Sequence, residues 1–147
     1  MKTSTYLFVF FLNLSHLYAA DFYWKGGDGE FNDPSKWAIG AVSGPTAPQA
    51  PISTDNVLFT VGAINGTTIN ITISSNSNCH DFWIDPAITT GSMVNFINGL
   101  NQTLDIYGSM ELAVTSNFKF QGILRFRSVL NGTELFTQQA IVLNLDT

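Results

Sequence analysis

From Asn56 onward the sequence is a succession of short runs in which apolar and polar residues alternate. Nowhere do apolar residues recur at helical spacing over ten or more positions. Residues 67–73 are the strictest run, with Ile69, Ile71 and Ile73 on one face of an extended backbone. Residues 56–61, 81–84, 93–97, 104–107, 110–114, 118–120, 123–127 and 140–145 are further examples. Turn-forming pairs punctuate them: Asn65-Gly66, Asn98-Gly99, Gly108-Ser109, Gln121-Gly122 and Asn131-Gly132. Glycine and asparagine tolerate the positive φ of tight corners, so each pair predicts a change of direction. The mature chain is expected to be all-β.

Two all-β arrangements fit this pattern. Asn-Gly turns suggest hairpins and hence an antiparallel β-sandwich or barrel. The other is a β-solenoid of stacked, parallel β-helix-like coils. Residues 103–112 and 117–126 each read strand, glycine corner, strand. Aligned on Gly108 and Gly122, they set Leu104 and Ile106 opposite Phe118 and Phe120, a repeat that favours coils.

The N-terminus reads as an export signal. Lys2 precedes the apolar run 6–12, polar Asn13, Ser15 and His16 break it, and Ala19-Ala20 stand before Asp21. A run this short cannot cross a bilayer, which needs ~20 apolar residues, so residues 1–20 are expected to be removed as a signal peptide. That leaves 127 of the 147 residues, the size of one domain. It also removes Lys2, leaving five basic residues against 11 acidic ones, a net −6. Nucleic acid and anionic lipid both call for clustered basic residues, and only Arg125 and Arg127 approach each other, so neither is an expected partner. Membrane insertion after signal removal is not expected either. Cys79, the single cysteine, excludes an intrachain disulfide, leaving burial and backbone pairing to hold the fold. Cys79 itself reads as a small buried hydrophobe, with His80 on the opposite face of the strand.

Directly after the signal, Tyr23, Trp24, Phe31 and Trp37 are interleaved with Gly26, Gly27 and Gly29 and an Asn32-Asp33-Pro34 turn. The glycines allow the backbone to fold back and gather the rings. In a solenoid the first coil exposes an apolar interior and an unpaired strand edge, so Tyr23, Trp24, Gly26, Gly27, Gly29, Phe31 and Trp37 are expected to form a structural cap. The domain plan is then a signal peptide at 1–20, the aromatic-glycine cap with a Pro-rich loop at 21–55, and a solenoid-like domain at 56–147.

Residues 23–37 resemble the start of secreted, surface-exposed β-repeat proteins of Bacteroidota-type bacteria. Those begin aromatic-Trp-x-Gly-Gly-x-Gly-x-Trp-x-Asp-Pro-x-x-Trp, with Phe31 here in place of the second Trp. The Pro-rich loop containing Pro45, Pro48 and Pro51 and the strand Asp55-Asn56-Val57-Leu58-Phe59 follow the same plan. Cys79-His80-Asp81-Phe82-Trp83, Ile106-Tyr107-Gly108-Ser109-Met110-Glu111-Leu112 and 122–128 match later elements, so the likeness covers most of 22–130. The resemblance implies a β-solenoid with a cell-surface structural or adhesin-like role, secreted or surface-exposed, and no catalytic residues. It also implies downstream β-sandwich repeats and a sorting domain, so a chain stopping at Leu143-Asn144-Leu145 is expected to be truncated at its C-terminus.

Candidate chemistry is sparse. Asp28, Glu30, Asp33 and Asp55 could gather around a calcium ion, which prefers several oxygen ligands at loops. Their spacing lacks the regular ligand pattern, and turn chemistry explains Asp33 before Pro34, so no cofactor is expected. Asp81 and Asp85 flank Trp83, but on a straight strand they stand roughly 13 Å apart, too far for a retaining glycosidase pair. No enzyme activity is expected, although the N-terminal part of a β-helix polysaccharide-degrading enzyme is one alternative. A carbohydrate-binding module is another, with Trp83 and Tyr107 the candidate glycan contacts. Expected partners are surface glycans or other cell-surface proteins.

Overall fold

A computed structural model of the chain describes residues 19–64, 67–88, 93–97, 101–112, 117–127, 135–137 and 144–146. The expected signal peptide, apart from Ala19 and Ala20, and the turns at Asn65-Gly66, Asn98-Gly99 and Asn131-Gly132 lie outside the described residues.

The protein is mostly β. β1 (Asp21–Trp24) and β2 (Gly29–Glu30) lead through a 3-10 turn at Pro34–Lys36 into β3 (Trp37–Ile39). After a long loop come β4 (Asn56–Phe59), the one-turn helix α1 (Val61–Ile64), β5 (Thr68–Thr72), β6 (Ser77–Cys79) and β7 (Phe82–Ile84). Then follow β8 (Met93–Ile97), β9 (Thr103–Ile106), β10 (Met110–Leu112), β11 (Asn117–Gln121), β12 (Ile123–Phe126), β13 (Leu135–Thr137) and β14 (Asn144–Asp146). The strand expected over 56–61 stops at Phe59, where the chain turns through α1 and buries Ile64.

From β4 onward, successive strands enter three sheets in rotation. The first sheet is ordered β13-β10-β7-β4-β1-β3, the second β14-β11-β8-β5-β2 and the third β12-β9-β6. Neighbouring strands run parallel, except that β3 lies antiparallel on β1. Apart from that β1–β3 pair, the described strands of these sheets are not joined by the hairpins of the expected antiparallel alternative.

The expected repeat is corrected by the register. Leu104 pairs with Leu124, while Phe118 and Phe120 pair with Val94 and Phe96. Gly108 and Gly122 are not equivalent, because from β4 onward partners in one sheet are 20 to 28 residues apart: Leu104 to Leu124, Ile69 to Val94, Phe82 to Met110. Corners of unequal length take up the difference.

Alternation decides what goes inside. Ile69, Ile71 and Ile73 are buried, as are Val57, Phe59, Phe82, Ile84, Leu104 and Ile106. All join one core with Trp24, Phe31 and Trp37, so the segment 21–55 shares its interior with the strands that follow. Contacting rings run through that core from Trp37 by Phe59, Phe82 and Phe96 to Phe120, with centroids 5.3 to 6.1 Å apart. Outward positions carry polar ladders instead: Asn95 Nδ2 donates to Asn70 Oδ1 (3.1 Å), and the backbone amide of Asn70 donates to Asp28 Oδ1 (2.7 Å). On the third sheet, Asp105 accepts from Arg125 Nε (2.6 Å) and Nη2 (2.8 Å), and Arg127 Nε lies 3.3 Å away. The two arginines do share one face, and Asp105 engages both.

Candidate functional site

The aromatic-glycine segment folds as a tight unit. Trp24 and Trp37 meet edge to face at 5.0 Å, and Phe31 meets Trp37 at 5.2 Å, all three fully buried. Each indole satisfies its N–H on a nearby carbonyl: Trp24 Nε1 donates to Gly27 O (3.0 Å) and Trp37 Nε1 to Phe31 O (2.7 Å). Buried indoles need such a partner, and here the intervening turn supplies both. Gly26 has φ +97°, and a Cβ there would stand 3.0 Å from the Ala63 carbonyl oxygen. Trp24 also touches Phe59 (6.0 Å), joining the unit to the core of the following strands. Tyr23 does not join its neighbours. Successive strand residues face opposite ways, so Trp24 points in and the half-buried Tyr23 lies on the outer face.

That outer face carries the second feature. Register aligns Tyr23 with Leu58, Leu58 with Trp83 and Trp83 with Glu111 across β1, β4, β7 and β10. Two positions earlier, on the same face, Asp21 faces Asn56, with Asn56 Nδ2 donating to Asp21 Oδ1 (2.8 Å). The adjoining corners contribute Asp81 and Ser109, whose amide donates to Asp81 Oδ1 (2.6 Å). These rows enclose an open groove of about 240 Å³, lined by the indole of Trp83, Leu58 and Phe82 together with Asp21, Asn56, Asp81, Ser109 and Glu111. No lysine, arginine or histidine lines it. Asn56 Oδ1 is buried and has no hydrogen-bond partner among the described residues.

Gly108 holds the far wall in place. A Cβ at this position would run into the Asp81 carboxylate and the His80 ring, so a larger residue here would displace both side chains. His80 Nδ1 lies 3.3 Å from Asp81 Oδ1 without hydrogen-bond alignment.

Of the two expected glycan contacts, only Trp83 lines the groove. Tyr107 is exposed at the corner after β9, away from it. Asp85 lies beyond the groove as well, its Oδ1 accepting from the Ala87 amide (2.8 Å). The residues missed from sequence are Asp21, Asn56, Leu58, Ser109 and Glu111. A signal for them exists in four triads, Asp21-Phe22-Tyr23, Asn56-Val57-Leu58, Asp81-Phe82-Trp83 and Ser109-Met110-Glu111. Each reads polar, buried apolar, outward, and unequal spacing hides the alignment.

The four carboxylates weighed for calcium serve separate amides. Asp28 accepts from Asn70 N, Glu30 from Ser74 N (3.2 Å) and Asp33 from Ser35 N (2.9 Å). Asp55 accepts from Ala20 N (3.3 Å) and Ile52 N (3.0 Å). Among the described residues no group of three or more His, Cys, Asp or Glu is arranged to hold a metal ion. Hydrogen bonds from Asn70, its backbone amide first, hold the Asp28 carboxyl below its ordinary value, and Ser35 does the same for Asp33. Cys79 is fully buried, and that burial, with the Asp81 carboxylate adding to it, pushes its thiol far up, so it is no nucleophile.

No family model, curated protein or solved structure matches this chain.

Proposed function

We propose that the chain is a non-catalytic, exported surface protein of structural or adhesive kind, built as a parallel β-solenoid whose first coil is capped by the Trp24–Trp37 unit. One observation carries the reading: strands rotate through three sheets in parallel register around a continuous aromatic core, with antiparallel β3 on the outer edge of β1. Stacking of this kind makes a long, rigid outer surface and leaves an end that must be covered. Two buried indoles beside β3 supply that cover. The leader-like residues 1–20 support export, and the resemblance of 22–130 to secreted β-repeat proteins supports a surface location.

The test expresses the full chain with its own leader in a bacterial host. N-terminal sequencing of the recovered protein should begin at Asp21, and protease added to intact cells should degrade it. Retention of Met1 in a protease-protected pool would reject export and the surface role with it.

A further inference from the structure

We infer that the groove around Trp83 is a binding site for one sugar ring of a neutral glycan. At about 240 Å³ it falls below the ~300–1,000 Å³ of pockets that enclose a drug-sized ligand, so it suits a single small unit of a larger molecule. Its apolar part, Trp83 with Leu58, offers an aromatic surface of the kind that covers the C–H face of a pyranose. Its polar part is made mainly of acceptors: the Asp21, Asp81 and Glu111 carboxylates.

A ligand that fits must therefore bring donors and an apolar face together. A ring carrying several hydroxyls does both. Hydrogen bonds from hydroxyls to carboxylates are among the stronger neutral-to-charged kind. The Glu111 side chain has no hydrogen-bond or ion-pair partner among the described residues, and Glu111 lines the groove. Uronates, sialates and sulfated sugars are disfavoured, because three carboxylates would repel them with no cation to compensate. Trp83 and Glu111 sit side by side in register on parallel strands about 4.8 Å apart, a spacing comparable to the width of one ring. The site is thus built across strands, with its floor on rigid sheet and its far wall held by the Gly108 corner.

This inference adds a ligand to the surface role proposed above and borrows from it only the expectation that glycans lie within reach. The experiment probes purified protein on an array of neutral glucan, mannan, galactan and chitin oligosaccharides, beside uronate-, sialate- and sulfate-bearing ones and an oligolysine peptide. Neutral members should bind, and Trp83→Ala and Glu111→Ala should each weaken binding at least tenfold while Tyr107→Ala leaves it unchanged. Circular dichroism and melting of each variant show that the fold persists. If Trp83→Ala fails to fold, Glu111→Ala alone decides the matter. Absence of neutral binders, preference for anionic sugars, or binding insensitive to the groove variants would overturn the site. Oligolysine capture abolished by Glu111→Ala would overturn it too, assigning the groove to a cationic peptide. Export is read separately by N-terminal sequencing, so either reading can fail without the other.

Discussion

Trp37 meets Phe22, Trp24, Phe31 and Phe59 through its ring and Phe31 again through its N–H. Truncating it leaves a cavity where several rings converge, so Trp37→Ala should cost about 3–5 kcal/mol of unfolding free energy in urea titrations. Trp83→Ala, at a half-exposed position, should cost about 1 kcal/mol or less. Equal losses in both would refute the central place given to Trp37. Burial of Trp24 and Trp37 was legible from their glycine-rich setting, because such a segment can fold back on itself. That Tyr23 would face the other way was legible only by applying strand alternation one residue further. Asp28 supplies a test of sign. Its carboxyl is held lower in the fold than the 3.8 of an unstructured chain, so the folded form binds a proton less readily. The Asp28–Asn70 tie therefore stabilises the fold above that value and is lost as pH falls through the folded one. Thermal melts from about pH 5 to about pH 2 should show the gap between wild type and Asp28→Ala closing with acid. A gap that widens would reverse the assignment.

At the scale of elements, alternation identified strands and their inner faces but not their partners. Ile69, Ile71 and Ile73 were readable as one buried row from seven residues of sequence. The pairing of Ile69 and Ile71 with Val94 and Phe96 was not, because partners lie 25 residues away and the corners between vary in length. The Gly108–Gly122 alignment failed for the same reason: similar grammar joined strands from different sheets. The groove shared that fate, since its walls come from four strands whose triads align only once register is known. Register and corners should then respond differently to insertion. A three-residue Gly-Ser insertion between exposed Pro86 and Ala87 should cost about 1 kcal/mol, since lengthening a loop adds little closure entropy. A single residue inserted between Ile69 and Asn70 turns half the row outward and should abolish cooperative unfolding. Equal tolerance of the two insertions would contradict a register fixed by burial.

Over the whole molecule, rings touch one another from the first strand to Phe120, while two of the three tryptophans sit together at the leading end. Light absorbed along this row drains toward the lower-energy indoles, so the protein's fluorescence originates at its leading end and at one surface site. Trp24 and Trp37 are shielded from a dissolved quencher such as iodide, and Trp83 is open to it. The same chain thus carries an internal gauge of its own starting turn and an external gauge of its groove, read by colour and quenching without any added label.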